Sequence, residues 1–151
     1  MTDFLRTAWS ELLSPFLRRP PMLQMAALCH REGANGREIL LVTSSSGNWI
    51  LPKGWPIEGT DGGGTAMQEA FEEAGVKKGD VAPTPIARVE TVKRFDDGNE
   101  APCTLEIYPV AVAEMTDDYP ESHRRERRWV PVSEAANLIN EPALAEVIAT
   151  L

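Results

Sequence analysis

The sequence predicts an α/β protein in which a mixed sheet is sandwiched between helices, an α/β/α arrangement preceded by an amphipathic N-terminal helix. Three observations lead there. Strand-like segments stand on both sides of one acidic helical segment, further helical segments close the chain, and no internal repeat or low-complexity linker interrupts it. A length of 151 residues suits one folded domain and is enough to bury a sizeable core. The formal charge of −8 at pH 7 argues against a general nucleic-acid-coating role, because coating needs a basic surface that releases phosphate counterions.

Taken in order, residues 1–20 read as a helical extension and residues 21–151 as the domain. Between Asp3 and Arg19 apolar residues come in pairs, Phe4-Leu5, Ala8-Trp9, Leu12-Leu13 and Phe16-Leu17, a recurrence that fits an amphipathic helix broken near Ser14-Pro15. Arg6 and Glu11 interrupt the run, which is too short to cross a bilayer, so neither a signal peptide nor stable membrane insertion is expected. The helix is expected to pack against the domain or a sister subunit, the second case giving a homodimer. Met22 to His30, Glu38 to Thr43 and Asn48 to Leu51 read as strands separated by turn-rich segments. An acidic helix from Thr65 to Ala74 follows. Ile86 to Phe95 and Cys103 to Ala113 read as strands joined through Asp96-Asp97-Gly98-Asn99, a hairpin turn by composition. The strand Arg128 to Val132 leads to a helix with Ser133 as N-cap and Ile139 at its end, and Pro142 opens a last helix from Glu141 to Thr150.

The chemistry concentrates between Leu51 and Val76. If Thr65 to Ala74 is helical, at about 100° per residue, Glu69, Glu72 and Glu73 stand at i, i+3 and i+4 on one face, with Ala66, Met67, Ala70, Phe71 and Ala74 on the other. Carboxylates this close repel one another. A hard divalent cation compensates, because Mg²⁺ prefers oxygen ligands and is held by a few carboxylates together with substrate phosphates. The plainer reading of the triplet is the solvated face of an amphipathic helix. The flanks favour a site: Gly75 is a helix C-terminal signal, and Pro52-Lys53-Gly54 places a carbonyl and a cation near the helix start.

These residues resemble the signature of the Nudix hydrolases, G-x5-E-x7-R-E-U-x-E-E-x-G-U with U a bulky aliphatic residue. Gly54, Glu69, the pair Glu72 and Glu73, and Gly75 with Val76 match it at unbroken spacing. Thr60 stands for the first glutamate, Gln68 for the arginine and Ala70 for the first U. Thr60 and Gln68 are expected to brace loop against helix through a hydrogen bond in place of the family's ion pair. The resemblance implies the α/β/α fold, hydrolysis of a phosphoanhydride, Mg²⁺ (or Mn²⁺) held by Glu69, Glu73 and the Gly54 carbonyl, and Glu72 as the base that activates water. Glu106, Glu121 and Glu126 are open alternatives for a downstream carboxylate.

For a small phosphorylated substrate the expected contacts are Lys53, then Arg88, Lys93 and Arg94, which alternate along one strand, and the run Arg124 to Arg128, from which Arg125 and Arg128 are selected; the guanidinium fork suits phosphate. The Pro-Lys-Gly-Trp loop and the arginine-rich segment before Trp129 look like the diphosphoinositol polyphosphate and diadenosine polyphosphate branch. Two other readings stand beside it: a housecleaning nucleoside triphosphate pyrophosphatase, and a non-catalytic Nudix-like sensor. His30 and His123 lie far from any Cys-x-x-Cys pair, which argues against a zinc site. Asp61-Gly62-Gly63-Gly64 lacks the Lys-Ser/Thr ending of a P-loop and reads as a flexible entry to the helix. Cys29 and Cys103 read as buried free thiols in a reducing compartment, hence a cytoplasmic placement.

Overall fold

A computed structural model describes residues 22–151; the expected N-terminal helix lies outside the described residues. The chain forms β1 (Met22–Gly33), β2 (Gly36–Thr43), β3 (Trp49–Ile50), β4 (Lys53–Gly54), α1 (Gly62–Ala74), β5 (Val76–Val81), β6 (Ala87–Arg94), β7 (Glu100–Met115), β8 (Arg127–Pro131), α2 (Val132–Leu138) and α3 (Pro142–Ala149). The sheet runs β3-β2-β1-β7-β5, with β4 also on β1, β6 on β7 and β8 on β2. β1 and β7 pair in parallel, Met22 opposite Cys103 through His30 opposite Ala111, while the other pairs are antiparallel. The sheet is mixed, as expected.

Alternation along β1 explains the two layers, because successive side chains of a strand point to opposite faces. Ala26 and Leu28 join Ile39, Leu41, Leu105 and Ile107 in a core closed by Ala135 of α2 and by Leu144 and Ile148 of α3. Met25, Ala27 and Cys29 join Leu40, Val42, Tyr108 and Val110 in a second core closed by Ala66, Ala70 and Ala74 of α1. Alanine at the position where the signature has a bulky residue therefore packs helix against sheet: Ala70 is fully buried.

Three details depart from the sequence reading. The expected strand from Asn48 to Leu51 shortens to β3, and a separate short strand, β4, follows it after Pro52, which has no amide to donate and instead offers its carbonyl to the Ala27 amide at 2.9 Å. Val76–Val81 is a strand whose polar outer residues concealed it. Ser133 is not the N-cap of α2, which begins at Val132 after Pro131 and has no side-chain cap. The hairpin at Asp96 to Asn99 forms, with Gly98 at φ 86°.

Candidate metal and phosphate site

Both ends of α1 are fixed by their own residues. Asp61 caps the start by accepting the Gly64 amide at 2.7 Å. The glycine-rich segment is thus the first turn of the helix and not a loose approach to it. At the other end Gly75 adopts φ 73° and its amide reaches the Phe71 carbonyl at 2.9 Å. Residues 116–127 clasp this end: the Glu121 amide donates to the Glu72 carbonyl at 3.0 Å, and Arg127 donates to the Ala74 carbonyl at 2.9 Å and the Thr116 carbonyl at 2.7 Å.

Glu69, Glu72 and Glu73 follow one another along the helix but meet different surroundings. Glu73 is 2% exposed. Its Oε2 accepts the Lys53 amide at 3.0 Å, and its Oε1 lies 3.2 Å from Arg125 Nη2. Burial pushes the Glu73 carboxyl up to about 8, against the pull of Arg125 and of the Lys53 amide. Burial also raises the Glu69 carboxyl above its ordinary value, and the nearby charges of Glu72 and Glu121 push the same way. Glu72, half-buried, accepts the Gln68 side-chain amide at 3.2 Å. Gln68 therefore braces Glu72, not Thr60. The Thr60 hydroxyl sits over Gly64, where an added Cβ would meet it at 1.9 Å, so the expected Thr60 to Gln68 bond is replaced.

Gly54 lies directly against Glu69: a Cβ there would fall 2.3 Å from the carboxylate. This cradle brings backbone and carboxylate together on β4 and α1, and every donor in it is a hard oxygen. Among the described residues no three His, Cys, Asp or Glu side chains close into a ready-made triad; Glu69 and Glu73 stand one turn apart on α1. The donor set fits a hard divalent cation.

A cleft of about 470 Å³ opens beside Glu73. Of the expected substrate contacts, Lys53, Lys93, Arg94 and Arg125 line it. Burial lowers the Lys53 pKa, while Glu141 opposes that shift and Lys93 adds to it. Arg94 is paired with Glu100 at 3.2 Å. Arg88 and Arg128 do not line the cleft. Arg88 bonds Glu106, opposite it in register on β7, at 3.1 Å, and Arg128 lies over the Trp49 ring at 5.0 Å. Trp49, Glu90, Asn48 and Glu141 also line the cleft and were not selected from sequence; they come from a turn, a strand and a helix start that no motif links.

The family model for the NUDIX domain matches residues 22–151. The chain belongs to the Nudix family. This Nudix chain is 31% identical over 132 residues to diphosphoinositol polyphosphate phosphohydrolase 3-beta of Bos taurus, covering 83% of this chain and 75% of that protein. The human 3-alpha protein matches to the same extent. Among solved structures, a C. elegans Ap4A hydrolase superposes with a TM-score of 0.65 at 18% identity, covering 86% of this chain and 95% of that one; at that identity the likeness shows the fold. Nudix hydrolases act on small phosphorylated substrates and generally use divalent metal ions. No helix among the described residues is long and apolar enough to cross a membrane.

Proposed function

We propose that this Nudix hydrolase is a Mg²⁺-dependent pyrophosphohydrolase, with Mn²⁺ able to substitute, acting on a small polyphosphorylated molecule of the kind its relatives are named for: a diphosphoinositol polyphosphate or a diadenosine polyphosphate. The observation that carries this reading is the Glu69 carboxylate set against Gly54, one helical turn from the buried Glu73, beside a cleft that Glu73, Lys53 and Lys93 line. Glu69, Glu73 and the Gly54 carbonyl would hold the cation. When bound, it supplies positive charge that offsets the phosphate oxygens.

The remaining work belongs to the chain's own side chains. Lys53 and Lys93 bind the phosphates, with Arg94 at the rim. Gln68 holds Glu72 by one oxygen, which leaves Glu72 free to take a proton from water as the water oxygen bonds to phosphorus and the bridging P–O bond breaks. The proton ends on the Glu72 carboxylate and the electron pair on the departing phosphate.

The test compares diphosphoinositol polyphosphates, diadenosine polyphosphates, ADP-ribose, nucleotide sugars and deoxynucleoside triphosphates under one metal condition. Activity is expected to vanish in excess chelator, and Glu73→Gln to lower the rate by orders of magnitude without unfolding the protein. Lys53→Ala and Lys93→Ala are expected to raise KM most for the substrates with most phosphates, by about tenfold for each charge-assisted bond removed, and the gap narrows as salt is added. Undiminished turnover in chelator sinks the proposal. A preference for damaged deoxynucleoside triphosphates, indifferent to the lysine variants, moves the assignment to housecleaning.

A further inference from the structure

We infer that Arg125 is a positioning residue, gripping the Glu73 carboxylate from the clasp, and not a phosphate contact. Its guanidinium spans three elements. Nη2 lies 3.2 Å from Glu73 Oε1 on α1, Nε donates to Glu121 Oε1 at 3.1 Å within the clasp, and Nη1 donates to the Thr43 carbonyl at the end of β2 at 2.7 Å. The side chain is only 20% exposed.

The surroundings hold it there. The Glu126 amide donates to Thr43 Oγ1 at 3.0 Å and the Thr43 amide to the Glu126 carbonyl at 3.1 Å, which zips the clasp to β2 on the residue next to Arg125. On the other side the Glu121 amide is bound to the Glu72 carbonyl, so the clasp cannot slide along α1. Glu73 is consequently gripped on both oxygens, by Arg125 on one and the Lys53 amide on the other.

Prior engagement separates the two roles. All three guanidinium nitrogens already face protein oxygens, on Glu73, Glu121 and the Thr43 carbonyl, which leaves little of the fork to turn toward a third anion. Among the described residues no other cation pairs with Glu73, and the nearby helix position Gln68 is neutral and serves Glu72. Groups that orient a metal-holding side chain typically change cation affinity when removed, by about 10- to 100-fold.

The positioning claim stands on these contacts; its consequence for cation binding rests on the proposed role of Glu73. The experiment measures Mn²⁺ affinity without substrate, kcat and KM on the best substrate, and amide hydrogen exchange at Lys53, for Arg125→Ala, Arg125→Lys and Arg124→Gln. Arg125→Ala is expected to weaken Mn²⁺ binding by about tenfold or more, to lower kcat with KM nearly unchanged, and to speed exchange at Lys53. Arg125→Lys should recover part of each loss, and Arg124→Gln should match the parent, since Arg124 reaches only Glu121, at 3.9 Å.

Parent-like Mn²⁺ affinity and Lys53 protection in Arg125→Ala, with KM raised, overturns the inference and makes Arg125 a substrate contact. If the parent binds no Mn²⁺, the metal reading of Glu73 fails separately, and Lys53 exchange still decides the positioning: acceleration supports it, no change overturns it. Should Arg125→Ala not fold, Glu121→Gln, which removes one charge anchoring the guanidinium, is expected to move the same readouts in the same direction by less, and parent-like values there overturn the inference.

Discussion

At Gly54 the absence of a single side-chain carbon lets β4 and α1 meet. Gly54→Ala would drive a methyl into the Glu69 carboxylate at 2.3 Å, so either that carboxylate or the strand must move. The expected outcome is a variant that folds with a lowered Tm, loses most of its Mn²⁺ affinity and turns over poorly, checked by Mn²⁺ titration beside a melting curve. The signature resemblance singled out Gly54 in the sequence, because a glycine at a fixed distance from an acidic helix is a local pattern; that it lies against Glu69 is visible only in the fold. The engagement of Arg125 was not legible in the sequence. Its partners lie on α1 and at the end of β2, and four arginines within five residues look alike until their contacts separate them. Arg127 is taken up by the helix end and Tyr119, Arg128 by Trp49, and Arg125 by Glu73. A dense arginine run is an ambiguous sign because the fork that suits phosphate suits carbonyls and carboxylates equally well.

Elements raise a different question, how the acidic helix is stopped where it is. Gly75 occupies the left-handed region at φ 73°, and a Cβ there would lie 2.5 Å from both Arg127 Nη1 and the Thr116 carbonyl. Gly98 sits at φ 86° in open space. Both alanine variants bear the backbone cost of a left-handed non-glycine residue, about 1–2 kcal/mol. Gly75→Ala should exceed Gly98→Ala clearly, and the difference between their urea midpoints measures what docking the clasp contributes. The helix ending at Gly75, the hairpin turn and the helix opened by Pro142 were readable because each is set by one residue's backbone preference. β5 was not: Lys77, Lys78 and Asp80 face outward from it, and a strand of that composition carries no hydrophobic period. The split of β3 from β4 likewise followed from the sheet around Pro52, since the Ala27 amide needed an acceptor there.

On the scale of the whole molecule, β1 is a central strand that, like its neighbours β2 and β7, feeds both cores, and Cys29 lies on it fully buried and unpaired, as Cys103 is on β7. Burial pushes the Cys29 thiol up to about 12. The thiolate is the reactive form, so alkylation of the folded protein should stay flat from pH 7 to 9, and labelling of Cys29 should follow global unfolding; mass spectrometry across a urea series checks this. Because the folded value lies above the unfolded one of 9.0, this thiol's contribution to stability is intact below pH 9 and is lost as pH climbs toward 12. The parallel pairing of β1 with β7 bears also on how the protein is made. α1 leaves the ribosome well before the residues that secure it, since β7 and the clasp follow it in the chain. At about 5–20 residues per second, the interval from Glu73 to Arg125 lasts on the order of 3–10 s. Through that interval the three glutamates travel without the clasp, their mutual repulsion relieved by water alone. The pocket is closed by residues synthesised after the ones it contains, so the nascent chain carries its acidic segment solvated first and buries Glu73 only when Arg125 arrives to meet it.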